Sequence, residues 1–115
     1  MTRSDIANEE TLLHQIVKII VREVSPEAII LFGSRARRDS HPDSDVDLLI
    51  VESEPFSPQR SRRKEAARLY IALKSLAISK NLLLHSQEEF DHWKNSKSHV
   101  VGRAVREGEV LYGRL

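Results

Sequence analysis

The chain has 115 residues, 40% hydrophobic and 30% charged, with a formal net charge of +1 and no cysteine. That length suits one domain over residues 1–115, and the missing cysteines exclude disulfides, thiolate metal sites and cysteine nucleophiles. The near-zero charge gives no global pull on nucleic acid, no stretch nears the roughly 20 apolar residues of a membrane span, and the polar N-terminus lacks a secretory pattern, so a cytoplasmic protein without a membrane partner is the default expectation.

Leu12, Leu13, Ile16, Val17 and Ile20 recur at helical spacing and predict a first helix from about Glu9 to Glu23. Ser25-Pro26 should stop it, because the residue before proline disfavours the helical region. The run Ala28 to Phe32 is short, uninterrupted and apolar, bounded by Pro26 and Gly33, which reads as a buried strand. A polar stretch from Gly33 to Ser44 follows, with room for one helical turn over Ser34 to Arg38. Asp45 to Val51 predicts the second strand, alternating at first and then wholly apolar. After a loop holding Pro55 and Pro58, a long helix is expected from Ser57 or Pro58 to about Ser79, with Ala66, Leu69, Tyr70, Leu73, Leu76 and Ala77 on one face. Leu82 to Leu84 is a third strand. Ser86 with Glu89 three residues on opens a helix through Trp93 in the manner of a capping box. A last helix, about Ser98 to Glu107, stops at Gly108, and Val110 to Tyr112 can add an edge strand. Strands alternating with helices predict an α/β (α+β) fold, a small mixed sheet of three to five strands with helices packed on one face.

Asp45 and Asp47 are two apart on a strand, so their carboxylates share a face with Cα atoms about 7 Å apart. Two anions side by side call for a cation between them, and Mg²⁺ takes carboxylate oxygens together with substrate phosphates. Two such ions, roughly 4 Å apart, suit a phosphoryl-transfer site. Gly33-Ser34 precedes Asp45 by ten intervening residues, where glycine lets backbone approach a phosphate and Ser34 offers a hydroxyl and an N–H. Arg35, Arg37 and Arg38 supply cations beside it, although partly solvated surface is the plainer reading of all three.

Phe32-Gly33-Ser34-Arg35-Ala36-Arg37, followed by Ser44-Asp45-Val46-Asp47-Leu48, resembles the signature of the DNA polymerase β nucleotidyltransferase superfamily. Within it the short chain is similar to the minimal nucleotidyltransferases, often the antitoxin half of pairs with HEPN proteins. The resemblance implies Mg²⁺-dependent transfer of a nucleoside monophosphate, commonly AMP from ATP or another nucleoside triphosphate, to a hydroxyl acceptor. In the paired systems that acceptor is a tyrosine of the HEPN toxin. It further implies that Asp45 and Asp47 are catalytic metal ligands, that Gly33 and Ser34 hold the triphosphate, and that Arg37 contacts phosphate. The superfamily carries a third carboxylate on a later strand, and that position falls on Asn81, which has a carbonyl oxygen but no charge. His85 would share its face, and Glu52 or Glu54 could supply the acid under another alignment. The competing expectation is a catalytically weak antitoxin-type module that caps a HEPN ribonuclease and keeps the nucleotide pocket. Homo- or hetero-oligomers both remain open.

Other motifs fare worse. Asp43, Asp45, Asp47 and Glu54 mimic a calcium loop, but Leu48 stands where that loop needs glycine. Neither a Walker lysine-serine nor a G-x-G-x-x-G is present. The basic run Arg60 to Lys64 could meet RNA or an acidic partner, but a solvated helix face is the better reading, and nucleic acid is not the favoured partner. His14, His41, His92 and His99 lack metal-ligand spacing and are expected at the surface, whereas Phe90, Trp93, Tyr70 and Tyr112 are expected to pack.

Overall fold

The apolar stripe of the first segment forms α1 (Arg3–Val24), longer at its start than its periodicity suggested. Ser25 then takes a left-handed φ of 46° and its N–H returns to the Val21 carbonyl at 3.0 Å, closing the helix just before Pro26. The computed structural model describes residues 3–41 and 43–114. Along them follow β1 (Ala28–Phe32), α2 (Ser34–Arg37), β2 (Val46–Glu52), α3 (Arg62–Ala72), β3 (Lys80–Ser86), α4 (Gln87–Trp93), α5 (Val100–Glu107) and β4 (Glu109–Gly113).

The strands form one four-stranded mixed sheet in the order β3-β2-β1-β4. β1 runs antiparallel to β2 and β4, while β2 and β3 are parallel. This is the mixed sheet the apolar runs predict. The helices, however, cover both faces instead of one. Ile29, Leu31, Val46, Leu48, Ile50, Leu82 and Leu84 point to a core with Ile16 and Ile20 of α1 and Leu69 of α3. The alternate residues Ala28, Ile30, Leu49 and Val51 meet Phe90 of α4 and Val101 and Ala104 of α5. Central strands that are apolar on both faces require both layers, and each fully buried Leu or Ile contributes about 1.5–3 kcal/mol.

Helix α3 is shorter than the expected span from Ser57 or Pro58 to Ser79. Ser61 caps it by accepting the Lys64 N–H, and Ser57 and Arg60 pair in a turn before it. Arg60 is drawn back to Glu52 at 2.9 Å, so the basic run does not lie along one helix face. Arg62 binds Glu89 and the Leu84 carbonyl and sits over the Phe56 ring, leaving Arg63 and Lys64 exposed. Strand β3 is a sheet edge, and side chains cover it: Tyr70 Oη accepts the Leu82 N–H at 2.9 Å, opposite in effect to Arg62 at Leu84. Tyr70, Trp93 and Tyr112, expected to pack, stay about two-fifths exposed, whereas Phe90 is buried. The capping box at Ser86 and Glu89 forms as its residues predict.

Candidate active site

The antiparallel register sets Phe32 of β1 opposite Asp47 of β2, and the parallel register sets Asp47 opposite Asn81 of β3. The end of β1 and the starts of β2 and β3 therefore meet at one rim of the sheet. There the chain leaves β1 through Gly33, whose φ of 75° and ψ of −157° lie in a region open essentially to glycine alone. A Cβ at Gly33 would stand 2.2 Å from Asp47 Oδ2. The small-residue turn and the acidic strand thus converge in van der Waals contact, which is what their joint use requires.

Ser34 opens α2 directly after this turn, and the amides of Ser34 and Ala36 have no acceptor inside so short a helix. Asp45 is exposed just ahead of β2, and Asp47 is half-buried on the sheet face that carries Leu49 and Val51. Asn81 Nδ2 donates to Asp47 Oδ1 at 2.8 Å and reaches Asp45 Oδ2 at 3.4 Å. Asn81 therefore lies against both aspartates, in the register that the Ser86 helix start implies. The other sources of a third acid are placed elsewhere. Glu52 lies at the opposite end of β2, five residues beyond Asp47 or about 17 Å along the strand. There it is buried with Arg60 and Glu65, and Glu54 pairs with Arg60 at 3.5 Å. His85 shares the Asn81 face but lies 3.7 Å from Glu89 beside the ring of His99, its Nδ1 makes no hydrogen bond, and burial holds the imidazole pKa down.

The arginines divide. Arg35, expected as partly solvated surface, is buried: its guanidinium bonds Glu9 Oε1 at 3.0 Å and the Ser44 carbonyl at 2.7 and 3.2 Å. It ties α1, α2 and the residue before Asp45 into one unit, a role with no local signal because Glu9 is 26 positions away. Arg37 is 40% exposed near the rim and meets Asp39 at 3.3 Å and Glu107 at 3.7 Å. Arg38 is the more exposed and meets Glu109 at 3.8 Å. Arg37 and Arg38 thus lie at the surface in ion pairs, while Arg35 is committed to the scaffold. His99 also departs from a plain surface residue, since it caps α5 through Nδ1 and stacks on Trp93 at 4.2 Å.

Among the described residues, no group of three or more His, Cys, Asp or Glu side chains is disposed to hold a metal ion. Two neighbouring carboxylates, Asp45 exposed and Asp47 half-buried, still match the donor set that Mg²⁺ uses when substrate phosphates complete its shell. No helix among them is long and apolar enough to cross a membrane.

A sequence model of the family described as Polymerase beta, Nucleotidyltransferase matches residues 14–114. No curated protein matches the chain. Among solved structures, a protein from Sulfolobus solfataricus described as a candidate nucleotidyltransferase is similar at TM-score 0.64 and 22% identity, covering 99% of this chain and 91% of that one. A toxin–antitoxin complex with AMP-PNP is similar at TM-score 0.59 and 22% identity, over 89% and 73%. A complex of tri-AMPylated HEPN toxin with its antitoxin from Shewanella oneidensis is similar at TM-score 0.56 and 20% identity, over 91% and 72%. At these identities the likeness is one of fold.

Proposed function

This chain belongs to the polymerase β nucleotidyltransferase family, and on that premise we propose that it transfers AMP from ATP to a hydroxyl acceptor, a tyrosine of a HEPN-type partner. The observation that supports the reading is the contact between Gly33 and the Asp47 carboxylate, which brings the small-residue turn directly against the acidic strand. The fold neighbours add a context, since two are toxin–antitoxin complexes, one holding AMP-PNP and the other an AMPylated toxin.

In this reading Asp45 and Asp47 hold Mg²⁺, while Gly33 and the amides at the start of α2 hold the β- and γ-phosphates. Ser34 adds its hydroxyl, and Arg37 swings from Asp39 to the triphosphate. Bound Mg²⁺ would supply positive charge that offsets the charge building on the leaving pyrophosphate. The acceptor oxygen attacks the α-phosphorus in line, a new P–O bond forms, the bond to the β-phosphate oxygen breaks, and pyrophosphate departs. No covalent enzyme intermediate is needed. The acceptor proton passes to water, which the exposure of Asp45 and Asn81 admits, because an amide at position 81 cannot take it. Chemistry without a built-in base is slow, so positioning by the partner carries much of the rate.

Incubation with labelled ATP, Mg²⁺ and the HEPN-type partner tests this. Label should appear on the partner and vanish with Asp47→Asn or when EDTA replaces Mg²⁺. A second reading, an antitoxin-type module that caps its partner without transfer, is favoured by the Asn81 amide filling the space between the two carboxylates. It prevails if no label moves while Asp45→Asn and Asp47→Asn proteins still silence the partner.

A further inference from the structure

The Asn81 side chain is turned so that its amide hydrogens, not its oxygen, face the acidic pair. Carboxylate oxygens only accept hydrogen bonds, so this is the orientation that satisfies both aspartates. The NH₂ group therefore occupies the region between Asp45 and Asp47 where a cation would otherwise sit. Among the described residues, no group of three or more His, Cys, Asp or Glu side chains is disposed to hold a metal ion here. Lys80, the preceding residue, sends its amino group back to the Leu76 carbonyl at 3.3 Å. Glu52 is held by Arg60 at the far end of β2, and His85 lies beside Glu89 toward the far end of β3.

We infer that Asn81 closes the Asp45–Asp47 pair to free divalent cations and makes cation entry conditional on a nucleoside triphosphate. A bare cation must displace two hydrogen bonds and receives only two carboxylates in return. Mg²⁺ surrenders its water reluctantly, and affinity at such sites follows the number of charged ligands. A triphosphate changes the balance by adding several anionic oxygens above the pair. Half a turn about the last side-chain torsion then brings the Asn81 oxygen to the cation and moves the NH₂ group away. A third carboxylate at this position would act in the opposite sense, repelling its two neighbours until a cation arrived. The inference rests on the transferase reading for the nucleotide, but not for the behaviour of the cation alone.

Titration with Mn²⁺ alone, followed by loss of the free-ion paramagnetic resonance signal, separates the two parts. The wild-type protein should leave the signal essentially intact at millimolar Mn²⁺. Asn81→Asp should bind Mn²⁺ at least about tenfold more tightly, and Asn81→Ala, which removes the hydrogen bonds without adding charge, should fall between them. Asn81→Asp should also show a melting temperature that rises with Mn²⁺ more than wild type does. In a second arm, anisotropy of a fluorescent ATP analogue should report wild-type binding at least tenfold tighter in Mg²⁺ than in EDTA. Equal Mn²⁺ affinity in wild type and Asn81→Asp would overturn the inference and leave the transferase reading standing. Absence of analogue binding in either buffer would sink the transferase reading, and with it the nucleotide's part in cation entry.

Discussion

Gly33→Ala puts the proposed convergence of turn and strand to its most direct test. The residue sits at φ 75° and ψ −157°, where an L side chain costs about 1–3 kcal/mol of backbone strain. The added methyl would also fall 2.2 Å from Asp47 Oδ2 and 3.2 Å from its Cγ, so the carboxylate must rotate away. The two costs are separable. In Gly33→Ala/Asp47→Ala the carboxylate is gone and only the backbone strain persists, so the double variant should be more stable than the sum of single effects by about 1 kcal/mol. Urea denaturation of the four proteins measures this, with loss of ATP-analogue binding by Gly33→Ala as the functional counterpart. If Gly33→Ala unfolds within about 0.5 kcal/mol of wild type, or the cycle is additive, the close approach of turn and strand is wrong.

Burial, reinforced by the neighbouring Glu65 carboxylate and only partly offset by Arg60, raises the Glu52 pKa from 4.5 to about 7. The unfolded chain loses this proton near 4.5 while the folded chain keeps it, so stability falls as pH rises from 4.5 to 7, by roughly 3 kcal/mol at most. Glu52→Gln, whose amide would donate to Glu65 where Oε2 now accepts nothing, should abolish that slope and be the more stable protein at pH 8; parallel pH curves refute it. Arg35→Met should cost roughly 3 kcal/mol by stranding the buried Glu9 carboxylate and the Ser44 carbonyl, with Arg35→Lys losing less; a change under 1 kcal/mol by urea melt would show the clamp to be idle. Ser86→Ala should lower stability by about 1 kcal/mol through loss of the α4 cap, and equal midpoints would contradict the capping box.

Where each element lies was legible largely from local pattern. Ala28 to Phe32 and Leu82 to Leu84 are apolar runs too short for helices, and Ser86 with Glu89 marks a helix start through bonds within four residues. The meeting of Gly33-Ser34 with Asp45-Val46-Asp47 was legible for the same reason, because both are short motifs whose geometry follows from a strand end and a strand period. Boundaries were less so: α3 starts at the Ser61 cap after the Ser57–Arg60 turn, four or five residues later than the apolar periodicity suggested.

What tertiary structure alone decided depends on partners distant along the chain. Periodicity shows that a strand is apolar on both sides, but not that α1 and α3 take one face while α4 and α5 take the other. Arg35, Arg37 and Arg38 look equivalent in sequence, and only Glu9, 26 residues upstream, separates the buried clamp from the two at the rim. The resemblance had already pointed to Asn81, but its hydrogen bonds to Asp47 and Asp45 exist only because β3 pairs in parallel with β2 in this register, and register is a property of two strands. Local bonds are encoded by neighbours in sequence; the charge and hydrogen bonding of the site are settled by residues that only folding brings together.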